Sequence, residues 1–534
     1  VFTSPYPPVD IPDVSIYDYL FGDLLTSDTG PSDLDRVAVV DGATGAAMTY
    51  GTLVDQINRV AGAFAAHGAG PGTVVALLCP NIPAFTSVFH GLLRAGITVT
   101  TINSLYTAGE IQRQLADAGA TWLVTVSPLL AGAREAAQTV GFDDTHLIVL
   151  DGAVGHPSLA DLLLAEPLVD APSIDPATHV AVLPYSSGTT GRPKGVMLSH
   201  RNLVANVQQA RGLINVVPDD RVLALLPFFH IYGMTVLLNL AFKQRASLVT
   251  MAKFDLTEFL RIIQDERCSY VFIAPPVAVA LAKHPLVADY DLSSVHTILS
   301  GAAPLDGALA AAVAERLGCR MLQGYGMTEA SPVSHLIPRD APEISRDSVG
   351  VTIPNMECKL VSLDTGAEIP LPKTGVSDPG ELLVRGPNVM LGYLNNDEAT
   401  RETIDSDGFL HTGDVATVSA AGVVKIVDRS KELIKYKGYQ IAPAELEALL
   451  LTHPHVNDAA VIGVNDDDGQ EIPKAYIVAV TDAGITAEVV IAWVAERVAP
   501  HKKVRVVEFI DAIPKSASGK ILRKDLRARD TLSS

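Results

Sequence analysis

Cysteine is scarce in this chain of 534 residues. Its four thiols, Cys79, Cys268, Cys319 and Cys358, form no CxxC pair and no Cys/His cluster. That excludes a disulfide scaffold and a structural zinc site, and it suits a reducing compartment, the cytoplasm. Charge is also sparse: charged residues make up 19% against 48% hydrophobic, a balance that excludes intrinsic disorder. Positive charge is the scarcer sign, with 40 Lys and Arg against 60 Asp and Glu and a formal net charge of −20. A chain this acidic repels phosphate backbones at long range and is not a general binder of nucleic acid or anionic membrane. Residues 222–242 are uncharged for 21 positions, long enough to span a bilayer, but they include Pro227, His230, Gly233 and Asn239. The run therefore reads as a buried soluble element, not a membrane span. No signal peptide is evident, and Leu532-Ser533-Ser534 is not a peroxisomal tail. Asp466-Asp467-Asp468-Gly469 lacks EF-hand spacing and reads as a solvated turn.

Short apolar runs alternate with longer helical patterns through most of the chain. Residues 74–79, 122–126, 180–185, 270–273 and 297–299 read as buried strands, and 50–67, 82–93, 256–267 and 305–317 as helices. That alternation predicts an α/β fold with largely parallel sheets. From about Val349 short strands at 359–362, 380–385 and 423–428 lie between Gly, Pro and Asp turns, suggesting a β-rich subdomain over about 349–430. A further unit follows, patterned helix, strand, strand, helix, strand at 443–451, 459–464, 475–480, 487–498 and 504–510. The expectation is a large domain, residues 1–430, and a small α+β domain, residues 431–534. Residues 432–534 hold 13 basic and 15 acidic side chains against 27 and 45 in the rest, and 501–529 alone holds nine Lys or Arg against three acids. An anionic partner is expected at that basic stretch.

The most informative segment is Tyr185-Ser186-Ser187-Gly188-Thr189-Thr190-Gly191-Arg192-Pro193-Lys194-Gly195, between a strand and a helical run. Its glycines let backbone N–H groups turn inward, its hydroxyls add donors and Lys194 adds charge, which together suit phosphate oxygens. It is not a Walker A loop, because no Lys-Ser/Thr pair stands at the required spacing. No G-x-S-x-G elbow supplies a serine nucleophile.

This string resembles the phosphate loop of the adenylate-forming superfamily: acyl-CoA synthetases, peptide-synthetase adenylation domains and beetle luciferases. Four more motifs follow in that family's order. Gln323-Gly324-Tyr325-Gly326-Met327-Thr328-Glu329 resembles the adenine- and phosphate-binding motif, and Thr412-Gly413-Asp414 the ribose-binding one. Asp428-Arg429-Ser430-Lys431-Glu432-Leu433-Ile434-Lys435 resembles the interdomain segment, and Pro514-Lys515-Ser516-Ala517-Ser518-Gly519-Lys520 the catalytic-lysine loop. The 4-coumarate–CoA ligase branch is closest in texture, through Phe229-His230-Ile231-Tyr232, Ser300-Gly301-Ala302-Ala303-Pro304-Leu305 and the stretch from Lys435 through Lys437-Gly438 to Glu445.

The resemblance implies a two-step reaction. A small-molecule carboxylate attacks the α-phosphate of ATP to give an acyl-adenylate and pyrophosphate, and the thiol of coenzyme A then displaces AMP. It implies Lys520 as the group bridging carboxylate and phosphate, with Thr328 and Glu329 also catalytic and Glu329 holding Mg2+. ATP and AMP would be held by Ser186, Ser187, Gly188, Thr189, Thr190, Gly191, Lys194, Gln323, Gly324, Tyr325, Thr328, Asp414 and Arg429. The C-terminal domain would swing about Lys431 and present Lys437 and Gly438 to CoA, with Lys435 and Gln440 serving both arrangements. The implied acyl pocket is His230, Tyr232, Gly233, Val236, Leu299, Ala302, Gly324, Gly326, Pro332, Val333 and Ser334. Its small residues leave a slot for a flat ring or slim chain. A hydroxycinnamate-type aryl acid is the first expectation and a medium- or long-chain fatty acid the second. A luciferase-like oxygenase and an inactive nucleotide-binding sensor are the more distant alternatives. Sequence departs from the plant branch at Val236, Ser334 and His296, so the acid itself is left open at this point.

Overall fold

The computed structural model describes residues 1–26, 33–186, 193–436, 439–466, 470–480, 484–517 and 519–533, without the side chains of Asp144, Gln440 and residues 531–533. Two parallel sheets form the large domain. In the first, Val37–Asp41, Ser247–Thr250, Arg221–Ala224, Tyr270–Ile273, Thr297–Ser300 and Arg320–Gly326 lie side by side in that order. In the second the order is Val180–Val182, Thr98–Thr101, Val74–Leu77, Trp122–Thr125 and Leu147–Val149. These strands are rich in β-branched residues and buried on both faces, as helix-covered parallel sheets must be. The covering helices begin at side-chain caps. Thr49 accepts from Thr52 N at the start of Tyr50–Ala66, and Ser199 and Asn202 form a capping box at the start of His200–Ile214.

The strands after Val349 do not stand apart. Arg320–Gly326 pairs antiparallel with Val333–Leu336, and from there Gly350–Thr352, Val423–Arg429, Leu410–Val418, Gly380–Arg385 and Glu357–Val361 continue the same sheet antiparallel. One sheet therefore changes from parallel to antiparallel at Gly324-Tyr325-Gly326. The uncharged run at 222–242 is divided between the strand Arg221–Ala224, a π-wound turn Tyr232–Asn239 and the short helix Leu240–Lys243, nearly all of it buried. Among the described residues no helix is long and apolar enough to cross a membrane.

The small C-terminal domain packs the helices Pro443–Leu451 and Ala487–Ala495 on a sheet of Val456–Asn465, Glu471–Ala479 and Val506–Phe509. Its core is built from Leu446, Leu450, Val461, Ile477, Val490 and Val494. The basic stretch at 501–529 is largely neutralised inside this domain. Lys502 pairs with Glu445, Lys515 with Asp458, Arg523 with Glu447, Arg527 with Glu432 and Arg529 with Glu508. The excess that suggested an anionic partner is thus spent mostly on the domain's own carboxylates.

Candidate active site

A cavity of about 900 Å³ opens at the carboxyl ends of the parallel strands, under the loop of residues 515–522 from the small domain. Parallel strands collect ligand sites at this end because their following loops converge there. Thr101 closes one strand, Leu299 is followed by Gly301 and Ala302 after another, and Gly324, Tyr325 and Gly326 end a third. Ala302 holds φ at +70°, rare for a residue with a side chain. Such a conformation costs about 1–3 kcal/mol and is typical of ligand-facing loops.

At one end of the cavity lie Ser186, Lys194, Thr328 and Glu329. Among the described residues Ser186 Oγ is buried without a hydrogen-bond partner, a donor free, as far as those residues go, to meet an acceptor on a bound ligand. Glu329 Oε1 accepts from the Tyr393 hydroxyl at 2.8 Å, and Lys194 Nζ sits 4.6 Å from the centre of the same ring. Among the described residues no group of three or more His, Cys, Asp or Glu could hold a metal ion unaided. Glu329 is a single hard ligand, so a divalent cation would complete its shell with phosphate oxygens and water.

Beside this lie Tyr325, Thr412, Gly413 and Arg429. Asp414 stands directly behind them: it accepts from the Tyr325 hydroxyl and pairs with Arg429 Nε at 3.4 Å across neighbouring strands. Burial raises the Asp414 carboxyl, opposed by Arg429 and Tyr325. Lys520 enters from the small domain. Its loop closes on itself through Ser516 N to Lys520 O at 2.8 Å and Lys520 N to Ser516 Oγ at 3.1 Å. Burial, then the nearby Arg429 charge, brings its ammonium down to about 8, with Asp414 pulling the other way. The same cation helps to hold His230 at about 4, burial being the larger cause. His230 Nδ1 accepts from Tyr232 N at 3.2 Å, so the neutral ring carries its proton on Nε2.

The apolar end is lined by His230, Tyr232, Val236, Leu299, Ala302, Gly324, Gly326, Pro332 and Val333. Two expected members are not on this wall. Gly233 presses on Pro227, where a Cβ would come within 2.1 Å of the Pro227 carbonyl oxygen; it is glycine for packing. Ser334 alternates with Val333 along a strand and points the other way, its hydroxyl 3.0 Å from His335 Nδ1. Gln323 is likewise off the cavity, tying Leu305 N, Leu305 O and Arg346 O. Lys435 is exposed in the hairpin Ile434–Tyr436 and Tyr439–Ile441, its N–H donating to Glu471. Lys431 reaches the cavity wall. Ser187, Gly188, Thr189, Thr190, Gly191, Lys437 and Gly438 lie outside the described residues, as does the Gln440 side chain. Tyr393, which bridges Lys194 and Glu329, escaped the sequence reading. Its only signal there is a Gly-Tyr pair, and its partner Glu329 is 64 positions away.

The profile described as AMP-binding enzyme matches residues 29–394, and that described as AMP-binding enzyme C-terminal domain matches residues 445–520. The chain is 43% identical over 471 residues to 4-coumarate–CoA ligase 3 of Oryza sativa subsp. japonica, covering 86% of this chain and 83% of the relative. Among solved structures, ATP-bound MatB from Rhodopseudomonas palustris superposes with a TM-score of 0.86 at 29% identity, covering 97% and 99% of the two chains. The anthranilate CoA ligase AuaEII in complex with anthranoyl-AMP gives 0.89 at 26% identity, covering 98% of each.

Proposed function

The chain belongs to the AMP-binding enzymes and is an AMP-forming acid–CoA ligase of the adenylate-forming type, using ATP, CoA and a carboxylic acid, and from that premise we propose that its acid is a hydroxycinnamate-type aryl acid. The observation that carries this is the apolar end of the cavity. Gly324, Gly326 and Ala302 line it beside Leu299 and Val236, so small residues and backbone make up much of a wall that a planar ring could lie against, although Gly326 is itself held close to Pro332, where a Cβ would come within 2.1 Å of the carbonyl oxygen. Tyr232 lies against Gly301, where a Cβ would come within 2.9 Å of its ring; its hydroxyl donates to Leu299 O at 3.4 Å and keeps a lone pair that can accept from a para-hydroxyl group. About 900 Å³ must hold nucleotide and acid together, which favours a compact acid over a long aliphatic chain.

In this reading the acid's carboxylate is the nucleophile and the enzyme contributes position and charge. Lys520 donates to the carboxylate and to the α-phosphate oxygens as charge develops, a preorganised contribution of about 3–4 kcal/mol. Ser186 and Lys194, with Ser187, Gly188, Thr189, Thr190, Gly191 and Thr328, hold phosphates. Asp414 and Arg429 hold the ribose, and Tyr325 the adenine. Glu329 would hold a Mg2+ ion bound to ATP, which would supply neutralisation of the phosphate charge. For the thioester step the C-terminal domain turns about Lys431, bringing Lys437 and Gly438 to CoA, with Lys435 and Gln440 used in both arrangements. Four buried free thiols suit a cytoplasmic setting. A panel of aryl and aliphatic acids, assayed for CoA-dependent AMP formation, tests the acid. The expected outcome is a kcat/KM for 4-coumarate or a close hydroxycinnamate at least tenfold above that for any fatty acid. Preference for a medium- or long-chain fatty acid would overturn it.

A further inference from the structure

The helix Pro275–Lys283 of the large domain meets the small domain at both its ends. At its start, Gly519 presses on Ala274 and Pro276: a Cβ on Gly519 would stand 3.0 Å from Ala274 Cβ and 3.4 Å from Pro276 Cδ. Gly519 also holds φ at +82°, so the residue beside Lys520 can turn and approach this closely only as glycine. At the other end, Lys283 reaches across the interface. Its Nζ donates to Leu451 O at 2.6 Å and Val456 O at 3.4 Å.

Leu451 O lies at the negative end of the helix Pro443–Leu451, and Val456 O opens the strand Val456–Asn465 that follows it. Lys283 is not needed at the end of its own helix. Arg316 already serves there, donating to Leu281 O, Ala282 O and His284 O at 2.9–3.1 Å. Among the described residues no carboxylate pairs with Lys283; its side chain is exposed overall, and partial burial at the interface lowers its pKa. A lysine without a counter-ion among the described residues, whose ammonium donates to carbonyls of another domain, gains from that contact and would exchange it for water on leaving. The two contacts lie roughly 12 Å apart along the helix, from its rise per residue. One point of contact permits rotation, whereas two hold the Lys520 loop in register over the cavity.

We propose that Lys283 is the latch that holds the C-terminal domain in the arrangement delivering Lys520, and hence a positioning residue for adenylation alone. The proposal rests on the two-arrangement reading above. It is tested with the full-length chain and its K283M, K283R and K520A variants in two separate half-reactions: acid-dependent exchange of pyrophosphate into ATP, and thioester formation from CoA and a supplied acyl-adenylate. K283M should lower exchange on the order of tenfold, the size expected for one charge-assisted contact, at unchanged KM for ATP and acid. Thioester formation should be undiminished or faster, with the thermal unfolding midpoint unchanged. K283R, which keeps the donors, should recover exchange to within about twofold of the parent. Equal loss of both half-reactions in K283M, or no loss of exchange, overturns the latch. K520A separates this from the underlying reading: if it abolishes both half-reactions while folded, the two-arrangement reading falls and the latch with it. If it abolishes exchange alone while K283M changes nothing, only the latch falls.

Discussion

Lys520 has its ammonium shifted from the usual lysine range to about 8, chiefly by burial and then by Arg429. Below that pH the group is charged and able to stabilise the developing charge on phosphate; above it the group is neutral. Since kcat/KM reports the free enzyme, adenylation kcat/KM should fall as pH rises through about 8, tenfold per unit. The break in kcat should lie higher, because bound phosphate favours the charged form. In K520R, where the charge persists, the alkaline fall near 8 should vanish at a lower overall rate. A pH–rate profile of pyrophosphate exchange checks this, and an unchanged break in K520R would assign the titration to another group. His230 cannot be that group, since it is held at about 4 and neutral throughout.

At the scale of elements, Glu447 and Arg523 form a buried pair joining the helix Pro443–Leu451 to the start of the helix Arg523–Ser533. Both carboxylate oxygens accept from Arg523 Nη2, at 2.8 and 2.7 Å, and Val461 N donates to Glu447 at 2.8 Å. Burial raises the Glu447 carboxyl, with Arg523 opposing it. R523M should therefore destabilise the C-terminal domain by about 3–5 kcal/mol at neutral pH, because it strands a buried charge. Adding E447M should recover most of that loss. Hydrogen exchange of the strand Val456–Asn465 reads both outcomes. Sequence periodicity predicted these elements well: the helix at 443–451 is found at Pro443–Leu451, and 50–67 at Tyr50–Ala66. The run at 180–185 instead splits into Val180–Val182 and Tyr185–Ser186. Which side chains face the cavity was less legible. A motif gives neighbours along the chain, whereas strand alternation turns Val333 inward and Ser334 away, and a close approach to Pro227 turns Gly233 to packing. Tyr393 meets Glu329 only through tertiary folding.

At the scale of the whole molecule, the net charge of −20 conceals the local arrangement. Lys194, Arg429, Lys431, Lys515 and Lys520 line one cavity, while the other cations of the C-terminal stretch mostly pair with carboxylates of their own domain. Long-range repulsion of polyanions and short-range capture of one triphosphate therefore coexist. If the acid's own carboxylate attacks the α-phosphate, an oxygen of the acid leaves on AMP. This is tested most directly with 4-coumarate carrying ¹⁸O in its carboxylate, ATP and CoA, followed by mass analysis of the products. Each AMP formed should carry one ¹⁸O and the thioester carbonyl the other, with the pyrophosphate unlabelled. Unlabelled AMP, or label released in inorganic phosphate alongside ADP, would contradict that attack.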